Sequence, residues 1–486
     1  MKKFNVVTTH EVIGSVAPEI YGGFVEHLGR NVYGGVYDPE DPTADENGFR
    51  RDVLKCIREL DMPLTRYPGG CYTDTWRWED GVGPRELRPV RLDAAWMQKE
   101  PNTFGLDEFV RWARMAGTEP VVTLNLSTRG IQEAEELWEY CNFPGGTALS
   151  DRRIRNGAEK PHNIRYWCLG NEQYGTWEVG HKNAADYAKL ARETAKLLKM
   201  HDRDLKIILC GNPYDMDWNR TVLSECYMYV DFISLHELFN NKLPRADYFR
   251  KVDAFGEKIR EIAVCCEIER KRRNTDKRLK ISVDEWIVWN LDRTRRPGEE
   301  WTVGAHLLEQ NYTMLDALEE GSIFSLFHNN ADVVGMACVA QSINVIAPIR
   351  TEKNGVLWKQ CIYDIFRLNS RYGRGRALRC FVESDDFGQD PAPAVSVIHD
   401  PAANTLTYFI TVRSPDEIRF TAQPLQKGEG KILEAYSMHA DDLSAGNGPG
   451  REILHAEKFR GARISGGALS VRLRPFSWNM IRVQLP

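Results

Sequence analysis

From about residue 20 to residue 375 the sequence alternates short apolar runs with longer amphipathic stretches, and few folds accept that alternation. Eight runs read as strands: Tyr21–His27, Met62–Pro68, Pro120–Leu126, Ile164–Glu172, Leu205–Gly211, Asp231–His236, Leu279–Trp286 and Ile323–Asn329. Most are continuously apolar with β-branched or aromatic residues, as strands buried on both faces require. Helical spacing marks the intervening stretches Phe104–Ala116, Asn183–Met200 and Trp301–Glu320. Eight strands alternating with helices predict a (β/α)₈ TIM barrel over residues 19–378. A doubly wound open sheet fits less well, because no GxGxxG turn or Walker loop follows a strand.

Past the basic turn Arg371–Arg376 the helical period disappears. That turn reads as a solvated linker rather than a phosphate site. Alternating segments at Ala394–His399, Thr405–Val412, Lys431–His439, Ala468–Leu473 and Asn479–Leu485 predict a C-terminal antiparallel β-sandwich, jelly-roll-like, over residues 379–486. The N-terminal segment 1–18, with its run Phe4–Thr8, is expected to add a strand to that sandwich.

Composition removes several function classes. The formal net charge is −5, without the basic excess of a nucleic-acid binder. No apolar stretch is long enough to span a membrane, and the N-terminus lacks the apolar core of a secretory signal. Eleven scattered cysteines suit reduced thiols in the cytoplasm. His236-Glu237 opens like a zinc-protease motif, but position 240 is Asn, and no CxxC pair occurs. No metal and no cofactor is expected.

Three carboxylates fall where barrel strands run into their following loops, the face that carries catalysis in this fold. Glu26 lies near the end of the first run, Glu172 ends the fourth and Glu285 lies near the end of the seventh. A single such acid would read as a buried ion pair, with Arg66 or Arg30 as partner. Three on separate strands aimed at one mouth favour chemistry. Two opposed carboxylates are what glycoside hydrolysis needs, one as acid and one as nucleophile or base. Asn171 is placed to bond a sugar hydroxyl, and Trp286 and Trp289 are candidates for either a sugar-stacking wall or packing beneath the loop. His181, His201 and His306 read as surface or packing residues, Cys168 as a small buried apolar group, and Glu267–Arg273 as a solvated helix end.

Five motifs then coincide in order: Glu26-His27-Leu28-Gly29-Arg30, Arg66-Tyr67-Pro68-Gly69-Gly70, Trp167-Cys168-Leu169-Gly170-Asn171-Glu172, Asp284-Glu285-Trp286, and residues 340–349 (Ala-Gln-Ser-Ile-Asn-Val-Ile-Ala-Pro-Ile). Together they resemble glycoside hydrolase family 51, mainly α-L-arabinofuranosidases, over nearly the whole chain. The resemblance implies Glu172 as general acid/base and Glu285 as nucleophile of a retaining mechanism. It implies that Glu26, Asn171 and Gln341 bond furanose hydroxyls, that Arg66 orients the nucleophile and that Trp289 lines the pocket. A homo-oligomer, often a hexamer, and an arabinose-containing oligosaccharide substrate follow from the same likeness.

Three places depart from the familiar pattern. Cys71 stands where many relatives carry a sugar-contacting Asn. In the sixth run, His236-Glu237-Leu238 puts leucine where a tyrosine normally donates to the nucleophile, and Gln173-Tyr174 replaces Met-Asp. Cys71, His236 and Leu238 are therefore expected in the substrate pocket. The alternatives are the same chemistry on another sugar, a β-D-galactofuranoside or β-D-xyloside, or a non-catalytic sugar-binding protein on the same scaffold.

Overall fold

The computed structural model describes residues 1–290, 296–423, 428 and 430–486. Eight parallel strands form the barrel: Gly23–Phe24, Leu64–Tyr67, Glu119–Thr123, Tyr166–Cys168, Lys206–Cys210, Phe232–Phe239, Lys280–Val288 and Val334–Val339. The ring closes where Gly22 bridges Cys338. There the Gly22 amide donates to the Ala337 carbonyl at 3.0 Å, and the Val339 amide donates to the Gly22 carbonyl at 3.0 Å. A side chain at residue 22 would meet the Leu64 methyl at 2.4 Å, so glycine is what permits closure. Phe24, Leu64, Val121, Cys168, Ile208, Met336 and Cys338 fill the barrel interior.

One strand differs from the expectation. Ile323–Asn329 is not the eighth strand but the C-terminal half of a helix, Met314–Asn329, and Val334–Val339 is the strand. The helix expected at Trp301–Glu320 correspondingly begins only at Met314. The physical reason is burial on both sides. Trp286 packs edge-on to Phe324 and Phe327 from the barrel, while Phe409 packs on His328 and Trp478 lies against Gly321 from the C-terminal sheet. A helix buried all round has no polar stripe, so a short window through it reads like a buried strand.

The C-terminal domain is a single curled sheet of ten strands, mixed rather than wholly antiparallel. The N-terminal strand Lys2–Ser15 lies inside it, antiparallel to Arg376–Ser384 and parallel to Ile418–Gln423. Both neighbours are strands absent from the sequence reading. Arg376–Ser384 is exposed along much of its length and lacks clean alternation. Phe4, Val6, Tyr408, Phe420, Val471 and Ile481 form the core enclosed by the curl.

The interdomain helix carries unusual charges. Glu319 and Glu320 are buried at its centre, and among the described residues neither Glu319 oxygen has a hydrogen-bond partner. Burial pushes the Glu319 carboxyl well above the usual range, so it is neutral in the fold. A carboxyl raised on folding gives stability that is full below its unfolded value, 4.5, and is lost as pH climbs toward the folded value. Replacing Glu319 by Gln keeps the neutral shape and removes that loss. Urea unfolding of Glu319→Gln should match wild type near pH 5 and exceed it near pH 8 by about 1–3 kcal/mol. An equal difference at both pH values would contradict the neutral assignment.

Candidate active site

The cavity at the C-terminal mouth of the barrel has a volume of about 220 Å³, room for one sugar ring rather than a chain. Its walls include Glu26, Cys71, Glu172, His236, Leu238, Glu285, Trp289 and Gln341, which come from six different strand ends or their loops. Arg66 and Asn171 are fully buried behind this wall and do not line it.

Local backbone features aim these side chains. Strand alternation would send Asp284 and Glu285 to opposite faces. The register against both neighbouring strands slips between residues 282 and 286, a bulge that turns both acids inward. Arg66 then reaches both, with Nη1 3.2 Å from Glu285 Oε2 and Nε 3.7 Å from Asp284 Oδ2. Trp286 is thereby sent outward into the core, so only Trp289 of that pair faces the cavity. Glu172 sits four residues past its strand with φ of +38°, a left-handed turn that projects the carboxylate over the cavity. Glycine is required at 70, because a Cβ there would stand 2.6 Å from Glu26 Oε2.

Hydrogen bonds fix the carboxylates. Glu172 Oε1 lies 2.9 Å from His236 Nδ1, and its Oε2 accepts from the Trp177 indole at 2.6 Å. Glu285 Oε2 also lies 3.5 Å from His236 Nδ1. Oxygens of Glu172 and Glu285 lie within 4.8 Å of each other. Such proximity suits the roughly 5–5.5 Å carboxyl separation of retaining glycosidases and is short of the roughly 6.5–9.5 Å of inverting ones. Glu26 accepts from Trp96 Nε1 at 2.9 Å, from the Tyr72 amide at 3.2 Å and from Gln341 Nε2 at 2.7 Å. Arg66 Nη2 donates to Asn171 Oδ1 at 2.7 Å, and the Arg66 guanidinium lies 4.5 Å over the Phe24 ring. Arg30 is engaged elsewhere, on Glu309 at 2.6 Å.

Electrostatics follow from this packing. Burial works against the charge of His236, but Glu285, Asp284 and Glu172 around it raise its pKa to about 10, so it is an imidazolium at neutral pH. Burial also opposes ionisation of Glu172, yet the hydrogen bond and charge of His236 overcome it and hold the carboxyl below the usual range. Burial and then the Glu285 charge push Glu26 up to about 8. Glu172, His236 and Glu285 have the spacing of a metal triad. An imidazolium has no lone pair to give, and the Arg66 charge adjoins, so the donor set does not suit a cation.

Leu238 lines the cavity with methyl groups, and the charged donors nearest Glu285 are Arg66 and His236. Several lining groups carried no signal in the sequence. Trp96 arrives on the hairpin Arg91–Asp93/Gln98–Glu100, Trp177 on the loop after Glu172, and Tyr214 on the loop after the fifth strand. Tryptophans and tyrosines in irregular segments have no period from which to read a direction. Asp284 was visible beside Glu285, but alternation pointed it away.

Comparison with known proteins agrees with this geometry. Residues 56–248 match the family model for the α-L-arabinofuranosidase 1 domain, and residues 284–477 that for the α-L-arabinofuranosidase C-terminal domain. An intracellular exo-α-(1→5)-L-arabinofuranosidase of Acetivibrio thermocellus is 39% identical, over 99% of this chain and 100% of its own. A counterpart of the same description from Bacillus subtilis is also 39% identical, over 100% and 99%. The solved structure of AbfB, a family 51 α-L-arabinofuranosidase from Bifidobacterium longum, superposes with a TM-score of 0.93 at 34% identity, covering 99% of both chains. With two carboxylates facing each other across the mouth of its barrel and full-length relatives of this kind, the chain belongs to the α-L-arabinofuranosidases of glycoside hydrolase family 51.

Proposed function

We propose that this protein releases terminal α-L-arabinofuranosyl residues from oligosaccharides by double displacement, with Glu285 as nucleophile and Glu172 as general acid/base. The observation that carries this reading is the approach of the two carboxylates to within 4.8 Å around one imidazolium. Arg66 and His236 hold Glu285 Oε2, so Oε1 is the attacking atom. Its bond to the anomeric carbon forms as the bond to the leaving oxygen breaks, and that oxygen takes a proton from Glu172. Water then attacks the glycosyl-enzyme, giving its proton to Glu172 and releasing Glu285. A cavity sized for one ring supports removal of single end residues. The (1→5) linkage named for two relatives is the first to assay, and their description as intracellular supports work on imported oligosaccharides in the cytoplasm. Among the described residues no helix is long and apolar enough to cross a membrane. A homo-oligomer is part of this reading, and sedimentation of the full chain measures it.

The proton that Glu172 must deliver is stored on His236 Nδ1, 2.9 Å away. Removing the imidazole should therefore hurt most where protonation of the leaving group is needed. His236→Ala is expected to lower kcat by about 10²-fold or more on an arabino-oligosaccharide, and far less on a dinitrophenyl arabinofuranoside. Equal losses on both substrates would remove the proton-storage role.

The carboxylates themselves separate by kinetics. Glu285→Ala should abolish turnover of aryl α-L-arabinofuranosides, with circular dichroism showing that the variant, though less stable for want of a partner to Arg66 and His236, is folded. Glu172→Ala should lose about 10²–10⁴-fold in kcat on natural linkages, with azide restoring product formation from an activated aryl substrate. Turnover by Glu285→Ala, or a strong preference for β-D-galactofuranosides or β-D-xylosides across an aryl glycoside panel, would contradict the reading.

A further inference from the structure

Behind the acid/base, a second pair of carboxyls is sealed from solvent. Asp74 lies in the single-turn segment Cys71–Thr75 after the second barrel strand, and Glu178 in the loop that carries Glu172 and Trp177. Both are buried, at 2% and 3% exposure. Glu178 Oε1 accepts from Asn171 Nδ2 at 3.0 Å and from the Cys71 thiol at 3.0 Å. Asp74 Oδ1 accepts from the Ser127 hydroxyl, which itself accepts from Gln173 Nε2 at 2.6 Å. The two remaining oxygens, Glu178 Oε2 and Asp74 Oδ2, are buried without a hydrogen-bond partner among the described residues, and the two carboxyls adjoin, with the Val179 backbone also beside Asp74. Two buried carboxylates cannot face each other both ionised, and a proton between them satisfies both orphan oxygens at once.

We propose that Asp74 and Glu178 share one proton, and that this clasp is the positioning element that holds the acid/base loop and the nucleophile's support in register. The nearby charged and titratable groups are consistent with it. Burial and then the bond to Asp74 push the Glu178 carboxyl up to about 10, while Glu172 and Cys71 lie on its other sides. Lys182 is the cation nearest Asp74, but its ammonium is taken by the carbonyls of Leu126 and Gly180, each at 2.7 Å.

Two chains of contact run from the clasp to the reacting groups. Through Glu178 Oε1 it sets the Asn171 amide, whose oxygen takes Arg66, which in turn holds Glu285. Through the backbone it sets Trp177, the adjacent residue, whose indole bonds Glu172. The clasp also gives Cys71 a place, because a thiol can donate to the Glu178 oxygen while lining the sugar cavity. Asp74 and Glu178 touch no substrate atom in this scheme, and they act through Asn171, Arg66 and Trp177.

Protonation makes a specific demand on isosteres. Glu178→Gln supplies an amide N–H where the shared proton was, so an ionised Asp74 still has its donor. Asp74→Asn does the same from the other side. The double variant turns two N–H groups toward each other, and one amide must abandon Ser127 or Asn171 to relieve the clash. The full-length protein and these three variants, with Glu178→Ala, are to be compared in kcat and KM on an aryl α-L-arabinofuranoside, in thermal unfolding, and in infrared difference spectra at neutral pH. Glu178→Ala should lose about 10²-fold in kcat with little change in KM, as expected of a displaced reacting group. Glu178→Gln should restore most of that loss, Asp74→Asn should resemble it, and the double variant should lose activity again, well beyond the sum of the singles. The wild-type minus Glu178→Gln spectrum should show one protonated-carboxyl carbonyl band. Absence of that band, a Gln variant as impaired as the Ala variant, or a double variant no worse than the singles would overturn the proposal. The kinetic arms rest on the proposed function. A wild type inactive on arabinofuranosides would count against that function, while the infrared band still decides the clasp.

Discussion

A guanidinium enclosed in a protein interior must be neutralised where it lies, because desolvation leaves it no other source of stabilisation. Arg66 is fully buried near the top of the barrel, and the groups around it are arranged to meet that demand. Asp284 and Glu285 balance its charge, Asn171 takes one of its N–H groups, and the face of Phe24 lies beneath it. His236 adds a second cation between the same acids and Glu172. Two cations and three carboxylates thus form one network. Removing one member leaves its partners buried and unpaired, which ties the reacting groups to the integrity of the fold.

The scaffold makes that network possible by small local irregularities on a regular frame. A bulge in the seventh strand turns two successive acids to one side, a glycine at 70 clears room for Glu26, and a left-handed turn lifts Glu172 over the cavity. Among the described residues, the C-terminal sheet contributes none to the cavity lining. It packs instead on the buried helix Met314–Asn329, which is itself pressed against Trp286 one residue beyond Glu285. The sheet therefore buttresses the strand that carries one carboxylate.

Much of this was legible in the order of residues. Seven of the eight barrel strands announce themselves by short, mostly apolar runs, and the acids at their ends announce chemistry because a charge closing a buried strand needs a reason. The eighth was misplaced, since Met314–Asn329 is buried on every side and loses the polar stripe that distinguishes a helix, while Val334–Val339 holds Gly335 and Ala337 and looks weak. Trp286 and Trp289 could not be separated by spacing, because the bulge that decides their directions is a property of paired strands rather than of one. Trp177, Trp96 and Glu178 were invisible for a related reason. They stand on irregular loops, and only the folded chain brings Glu178 against Asp74, more than a hundred residues earlier. Leu238 is the opposite case. Its oddity was plain in the sequence, and the structure leaves Arg66 and His236 as the charged donors beside Glu285.

The central claim is that Glu285 becomes covalently attached to the sugar while Glu172 and its imidazolium supply and recover the proton. Mass spectrometry of peptides from the full-length Glu172→Ala variant, quenched during turnover of a dinitrophenyl α-L-arabinofuranoside, tests this most directly. The account predicts a pentosyl adduct on the peptide containing Glu285, localised to that carboxyl and removed on incubation with azide. A steady state without adduct in the presence of a product burst, or an adduct on Glu26 or Asp284 instead, would contradict it.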